Sequence, residues 1–559
     1  MNKFDKNDWL VNIIKSYKGA YISIFIFSAI INILILVPAW YMLQVYDRVL
    51  TSFDVNTLLG LSLIVLFLFL IYGILDRYRR LILVSSTEGL DEKILEKIKS
   101  KFIHGDYKTT RQLKNSFYDL NQIKQFLTGQ AILSFIDAPW FFIYILVIFL
   151  IHFHLGLIAL ISAIILFILA LINQRMSGSK MDNASKSMVG ENKFIDNMVN
   201  SAESSHVMGM NKNLFERLVD SREDSLNNLY HANQESAWIN SLTRFFRILV
   251  QSLILGYAAF LAINDQITFG MIIAASILLG RTLAPLEGVI NNWKQYLSFK
   301  KSFFRLNETY KNSPDIYQNV DLGKPEGIIE AKNINYSISN NNLNTIKNIN
   351  LKIKPGESLV IIGPSGAGKT TLLKSLCGIY KPNTGEINLD GGHLGKRDRS
   401  KIGEYFGYLS QSNTLLEGRI SENICRFGEI DNNAVIEASK KANIHDFIVN
   451  LQNGYETELG NFGSGLSDGE SRRIAIARSI YKNPQILFLD EPNLSLDNES
   501  LLSLIKLINS FKENKKTLVY TTHVPDLANL ADKALLLFKG EVKAYGNANE
   551  IIPQLRGGK

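Results

Sequence analysis

The run Gly363, Pro364, Ser365, Gly366, Ala367, Gly368, Lys369, Thr370, with Thr371 behind it, carries the clearest chemistry in the chain. Its glycines let backbone N–H groups turn toward an anion, and at a helix start those donors and the helix dipole cradle phosphates. The apolar SLVII before it reads as a strand and TLLKSLCG after it as a helix, the context that a phosphate-binding P-loop requires. In such a loop Lys369 bridges the terminal phosphates and the Thr370 hydroxyl holds magnesium, so ATP and Mg2+ are the expected ligands.

A second signal lies downstream, where the apolar strand Ile486, Leu487, Phe488, Leu489 runs into Asp490 and Glu491. A carboxylate at the end of a buried strand can complete a magnesium shell, and the next one can take a proton from attacking water. Asp490 is therefore the expected metal residue and Glu491 the expected general base. Paired acids after a strand also suit a plain helix N-terminus, but the P-loop upstream favours the catalytic explanation.

The sequence between and after these two signals is more specific. Leu466, Ser467, Asp468, Gly469, Glu470, followed by SRRIAIARSIYKNP, resembles the signature of the ABC ATPases and the helix leading from it. Gln411 in YLSQ is similar to that family's Q-loop, Ser495-Leu496-Asp497 to its D-loop, and His523 after the strand TLVYTTH to its switch histidine. The resemblance implies that Gln411 reaches the metal and couples nucleotide to the membrane domain, and that His523 senses phosphate. It also implies that Ser467 and Gly469 close over ATP held in a second copy's P-loop, so that the chain works as a homodimer. Two positions depart from the pattern. Asp468 stands for a glycine and Glu470 for a glutamine, which adds negative charge beside a triphosphate site and leaves room for slower or conditional hydrolysis; with Ser467, Gly469, Lys369, Gln411, Glu491 and His523 all present, an active ATPase is still expected. The position where relatives place an adenine-stacking tyrosine holds Ile338, and Tyr336, two residues earlier, is the substitute candidate.

These residues need two very different halves to position them. At 559 residues the chain exceeds one small domain, and its apolar residues crowd into long runs in the first half. The formal charge of +8 comes from Lys and Arg that flank those runs rather than from a basic stripe interleaved with aromatics, so a membrane is the expected partner and nucleic acid is not. Cys377 and Cys425 have neither metal-ligand spacing nor a disulfide framework.

A helix needs roughly 20 apolar residues to cross a bilayer. Six spans are expected: Ala20 to Met42, Val55 to Leu75, two between Pro139 and Ala170 broken at His152–Gly156, and two between Ile248 and Leu283 broken at Asn264–Gln266. The long Lys/Arg-rich connections after the second and fourth spans place them, and both termini, in the cytoplasm of an inner-membrane protein. Their composition predicts helices that continue beyond the membrane. The fold class is thus an all-α transmembrane domain plus an α/β P-loop ATPase domain. Expected boundaries are 1–19 for an interfacial helix, 20–311 for the membrane domain, 312–326 for a Pro/Gly-bearing linker and 327–559 for the ATPase. Asp47, Arg48, Asp137, Arg281 and Glu287, in or beside spans, either line a polar pathway or pair between helices.

The segments YMLQVYDRVLTS (41–52), DAPWFFIYILVIFL (137–150), MIIAASILLGRTLAPLEGVINNWKQY (271–296) and NTLLEGRISENICRFGE after Gln411 resemble the permease/ATPase subunit of type I secretion systems, in its protease-exporter branch. With the first span near residue 20, an N-terminal peptidase-like domain is not expected. The resemblance implies export of an unfolded polypeptide with a C-terminal signal, through a dimer that recruits a periplasmic membrane-fusion adaptor and an outer-membrane channel. Two alternatives stand beside it: an exporter of lipid or small molecules, and a nucleotide-binding scaffold with little hydrolysis.

Overall fold

The computed structural model describes residues 8–104, 110, 113–311, 323–337, 345–412, 415–460 and 465–556. Most of the expected linker (312–322), the first seven residues of the expected interfacial helix, and Ile338 lie outside the described residues. The chain divides into two compact units, 1–97 with 114–312, and 98–113 with 313–559.

The first unit is helical. After α1 (Trp9–Ser16) and α2 (Lys18–Leu34), Pro38 opens α3 (Val37–Gln44), where its missing N–H costs nothing. The helices α4 (Val55–His104), α5 (Phe153–Asn200) and α6 (Asn211–Ile263) have 50, 48 and 53 residues. At 1.5 Å per residue each is roughly 70–80 Å long, more than twice the ~30 Å hydrocarbon core, so each continues well past it. Between α4 and α5 lie Leu113–Thr128, Gln130–Asp137 and Phe141–Ile151. After α6, α7 (Phe269–Asn291) closes the set, and Trp293–Lys311 follows. The turns fall at His152 and at Asn264–Gln266.

Among the described residues, five stretches are long and apolar enough to span a membrane: Lys18–Ser52, Val55–Ile103, Gln130–Ile151, Ala237–Ile263 and Phe269–Asn291. Among the described residues the fourth expected span is represented by a shorter apolar helix, Phe153–Leu169. The expectation of six full spans is corrected to five plus this shorter segment. The packed centre is rich in small residues, with Ala39, Ala159, Ala163, Ala258, Ala274 and Ala275 letting helices approach closely. Leu63, Phe67, Phe142 and Leu150 are exposed, the distribution that a lipid-facing surface requires. At the other end, Leu10 is buried and Trp9 donates to the Asn307 carbonyl at 3.4 Å, which seats α1 on the Trp293–Lys311 helix.

The second unit is α/β. An antiparallel sheet has β1 (Ile329–Tyr336) between β2 (Ile346–Ile353) and β4 (Thr384–Leu389), with the short β5 (Gly392–His393) beyond β4. The main sheet runs β12 (Glu541–Asn547), β11 (Lys533–Phe538), β3 (Ser358–Ile362), β10 (Thr517–Thr521), β9 (Ile486–Asp490), β6 (Phe406–Leu409). All its pairings are parallel except that of β11 with β12. A two-stranded ladder pairs β7 (Gly418–Arg419) with β8 (Glu458–Leu459).

Strands β3, β9 and β10 are buried at every residue, as a parallel sheet covered on both faces demands. Their alternation divides the core. Leu359, Ile361, Ile486, Phe488 and Val519 pack into one layer, while Val360, Ile362, Leu487, Leu489, Leu518 and Tyr520 pack into the other. Each fully buried Leu, Ile or Phe contributes about 1.5–3 kcal/mol, which makes this sheet a rigid base for whatever leaves its strand ends.

Candidate functional site

In register, Thr521 of β10 lies beside Asp490 of β9 and Ile361 of β3, while Leu409 of β6 lies beside Leu489. The segments beginning at Gly363, Ser410, Glu491 and Thr522 therefore leave the sheet along one edge. That edge, outside the carboxyl ends of parallel strands, is where open α/β sheets bind ligands. Residues some 160 positions apart in sequence meet there.

The P-loop joins β3 to the helix α8 (Lys369–Leu376). Gly363 has φ +152° and its backbone passes so close to β11 that a Cβ would lie 2.1 Å from the Leu537 carbonyl oxygen, so only glycine fits. Gly366 and Gly368 also adopt positive φ, Pro364, Ser365 and Gly366 are exposed at the crest, and Ala367 is buried beneath. Lys369 donates to the Gly363 and Pro364 carbonyls at 2.9 and 3.1 Å, which curls its ammonium over the loop crest. Burial pulls its pKa down, opposed by the charges of Glu491 and Asp490. Thr371 is buried in the first turn of α8.

Asp490 is fully buried. Its Oδ1 accepts from Thr370 Oγ1 at 3.0 Å and from Thr521 Oγ1 at 2.8 Å, whereas its Oδ2 has no hydrogen-bond partner. Burial pushes the carboxyl above the usual range, against the hydrogen bonds from Thr521 and Thr370. An orphaned carboxylate oxygen beside a P-loop hydroxyl fits Mg2+, which takes few protein ligands and completes its shell with phosphate and water. No cluster of three or more His, Cys, Asp or Glu that could hold a metal exists among the described residues.

Glu491 sits at φ +48°, a conformation that costs a non-glycine residue energy and is concentrated at functional sites. Its amide donates to Thr521 Oγ1 at 2.9 Å. On its carboxylate, Oε2 accepts from Gln411 Nε2 at 3.2 Å and Oε1 lies 3.3 Å from His523 Nε2. The structure thus gathers Lys369, Thr370, Gln411, Asp490, Glu491 and His523 at the strand ends, with Gln411 on Glu491.

The signature opens the helix α9 (Asp468–Ile480). Ser467 is its N-cap: Ser467 Oγ accepts from Glu470 N at 3.3 Å, and Glu470 Oε2 accepts from Ser467 N at 2.7 Å. The reciprocal pair is a capping box, for which Glu and Gln serve equally. Glu470 therefore has a structural task at the position where the pattern has glutamine, and both it and Asp468 lie where a helix dipole stabilises negative charge. Leu466 packs against the core beneath. Asp497 caps the helix α10 (Asn498–Glu513), its Oδ1 accepting from Ser500 N at 2.8 Å, and hydrogen bonds from Ser500 hold its carboxyl below the usual range. Tyr336 stacks on Tyr380 with centroids 4.9 Å apart and planes at 5°.

Two residues of the site escaped sequence reasoning. Thr521 bridges both acids, and its only signal was a hydroxyl ending an apolar strand. Arg472 is fully buried and donates to four backbone carbonyls around the acids. Burial lowers its guanidinium pKa to about 10, so it stays charged at neutral pH.

In the helical unit, three of the five charged candidates pair between helices. Asp137 accepts from Arg79 at 3.0 Å and from Asn32 Nδ2 at 3.0 Å; Glu287 pairs with Arg247 at 2.9 Å; Asp47 accepts from Thr268 Oγ1 and the Gly270 amide, at the start of α7. Arg48 and Arg281 are exposed.

A P-loop, a strand-end acid pair and a carboxylate with an oxygen to spare, joined to a helical unit sized for a bilayer, define a membrane-bound nucleoside triphosphatase. Residues 346–494 match the ABC transporter family, and residues 21–286 match the ABC transporter transmembrane region. The chain is 31% identical over 549 residues to the type I secretion system ATP-binding protein PrsD of Rhizobium meliloti (strain 1021), covering 97% of this chain and 94% of that protein. It is 27% identical over 570 residues to the leukotoxin translocation ATP-binding protein LktB of Mannheimia haemolytica, covering 99% and 79%. The structure of a bacterial Atm1-family ABC exporter with ATP bound superposes with a TM-score of 0.79 at 18% identity, covering 96% of each chain. The chain belongs to the ABC transporters, in the branch of the type I secretion ATP-binding proteins, and is an ATP-hydrolysing exporter subunit of the inner membrane.

Proposed function

We propose that two copies of this chain export an unfolded polypeptide bearing a C-terminal signal, in company with a periplasmic adaptor and an outer-membrane channel. The ATPase units and both termini lie in the cytoplasm. The likeness to the secretion protein PrsD along 97% of the chain supports this reading most directly.

At each ATP site, the P-loop amides and Lys369 hold the phosphates, with Tyr336 against the base. Thr370, Asp490 and Gln411 would hold Mg2+, which when bound would supply positive charge to offset that of the phosphates. Glu491 takes the proton of the attacking water, and His523 orients that carboxylate and reads the terminal phosphate. Ser467 and Gly469 of the second copy close the site from the other side, with Leu466 and Asp497 supporting them, so ATP binding draws the two ATPase units together and hydrolysis releases them. The capping box formed by Glu470 supports turnover, since this departure leaves the signature helix start intact.

The test compares the secreted proteins of a strain lacking the gene with those of the same strain given the intact gene or Glu491→Gln. One or a few polypeptides should vanish from the medium on deletion and return only with the intact gene. An unchanged set of secreted proteins, together with ATP-dependent lipid movement in reconstituted vesicles, would overturn the polypeptide cargo.

A further inference from the structure

Arg472 lies one turn into α9, the helix whose first residues are Asp468 and Gly469, and no expected role from the sequence uses it. Its side chain is among the largest that are fully buried. One end of the guanidinium donates to the Ser410 and Gln411 carbonyls at 2.6 and 3.2 Å, the other to the Asp490 and Glu491 carbonyls at 3.0 and 2.6 Å. A planar fork with five donors is the side chain able to span four acceptors in this way. The two arms thus grip the residues on either side of the hydrogen bond between Gln411 and Glu491.

Two close approaches stiffen the same helix against the site. A Cβ on Gly469 would lie 2.9 Å from the Ser495 carbonyl oxygen, and one on Gly407, at the root of the Gln411 segment, 2.2 Å from the Ser479 carbonyl oxygen. Backbone therefore touches backbone at both ends of α9, and Arg472 fills the space between. The helix cannot shift without carrying the Gln411 and Glu491 backbones with it, because packed interiors transmit strain rather than absorb it.

We propose that Arg472 is a positioning residue for hydrolysis: it ties the general base and Gln411 to the signature helix, so that displacement of this helix is transmitted to Glu491. The inference rests on the dimeric reading above, in which the front of α9 meets the nucleotide of the other copy. ATP in one site then sets the geometry of Glu491 in the other, and the two sites turn over cooperatively. The acids beside Arg472 keep its charge compensated, as the opposing influence of Asp490 and Glu491 on its pKa indicates.

The experiment uses the full-length protein in detergent or nanodiscs, with Arg472→Gln and Arg472→Lys. Steady-state ATPase gives kcat, KM and the Hill coefficient, and a fluorescent ATP analogue gives affinity. In Arg472→Gln, kcat should fall by up to about 100-fold, the cost of a misplacement near 1 Å, with nucleotide affinity within about twofold. Its Hill coefficient should drop from above 1 to 1, and Arg472→Lys, which keeps the charge but not the fork, should recover part of both. The proposal is overturned if both variants keep wild-type kcat and cooperativity. It is equally overturned if kcat, affinity and melting temperature fall together and alike in the two variants, as a purely structural role requires. A wild type that hydrolyses ATP with a Hill coefficient of 1 removes the transmission alone. One that stays monomeric with ATP and Mg2+ removes the dimeric reading and this inference with it.

Discussion

Asp490 in the ATPase unit is fully buried and Asp137 in the helical unit is partly buried, yet what separates them most is their surroundings. Asp490 has two hydroxyls on one oxygen and nothing on the other. Asp137 has Arg79 on both oxygens and Asn32 on one of them, and Arg79 reaches on to Ser28 and Asp76. Asn32 is held in turn by the Tyr144 hydroxyl at 2.7 Å. The first acid is left incomplete for a ligand. The second is completed by Arg79 and Asn32 from two other helices, and so holds helices together. A buried charge marks chemistry when its valence is unfilled and architecture when it is filled.

The largest effect that would break this contrast is at the ATP site. Glu491→Gln keeps the shape of the proposed general base and removes its proton affinity, so ATPase activity should fall by about 100-fold or more while ATP still binds. An enzyme of near wild-type rate would move the general base elsewhere.

In the helical unit, Arg79→Met strands Asp137 without its cation, while Asp76 keeps Arg80. Breaking one side of such a pair costs about 3–5 kcal/mol, so the melting temperature in detergent should fall sharply, while ATP affinity changes little. Adding Asp137→Leu should recover part of the loss, because no unpaired anion then remains at that position. No recovery would mean that Arg79 acts through Asp76 and Ser28 instead.

Titration sharpens the comparison further. The folded pKa of Asp490 is raised from 3.8, so in that window the native state holds more protons than the unfolded one. Nucleotide-free protein should therefore lose stability as pH rises from about 4 through the raised pKa, and the loss should level off above it. Asp490→Asn should flatten that dependence in melting curves while abolishing hydrolysis. An unchanged pH profile in the variant would assign the slope to other carboxyls. The smallest effect belongs to Tyr336→Ala: ring stacking is worth about 0.5–1.5 kcal/mol, so KM for ATP should rise about 2–10-fold with kcat nearly constant. A KM unchanged for ATP would take Tyr336 away from the base.

The ATPase site was legible in the sequence to the extent that its parts are short segments leaving strand ends. Gly363 to Thr370, Asp490 with Glu491, and His523 each declare themselves within a few residues, because a parallel strand delivers its next residues to one edge of the sheet. Arg472 and Thr521 did not, since a buried arginine within SRRIAIARS and a threonine ending TLVYT look like any other members of a helix and a strand. Only the fold shows which carbonyls they meet. For the membrane charges, the sequence left pathway and pairing open, and Arg79 with Asp137, 58 positions apart, closes the question for that acid. The count of spans met the same limit: apolar length locates a segment but not the bounds of its helix, which in α5 (Phe153–Asn200) continues far beyond the apolar run.

By itself the sequence determined which motifs the chain carries and their order: phosphate loop, signature, acid pair and histidine, behind apolar segments that water would not tolerate exposed. Tertiary structure alone decided which acid keeps a free oxygen and which is saturated, that Glu470 caps a helix, and that one buried guanidinium spans Gln411 and Glu491. Hydrophobic periodicity and loop motifs are properties of neighbours in sequence, whereas valence and charge compensation are properties of neighbours in space.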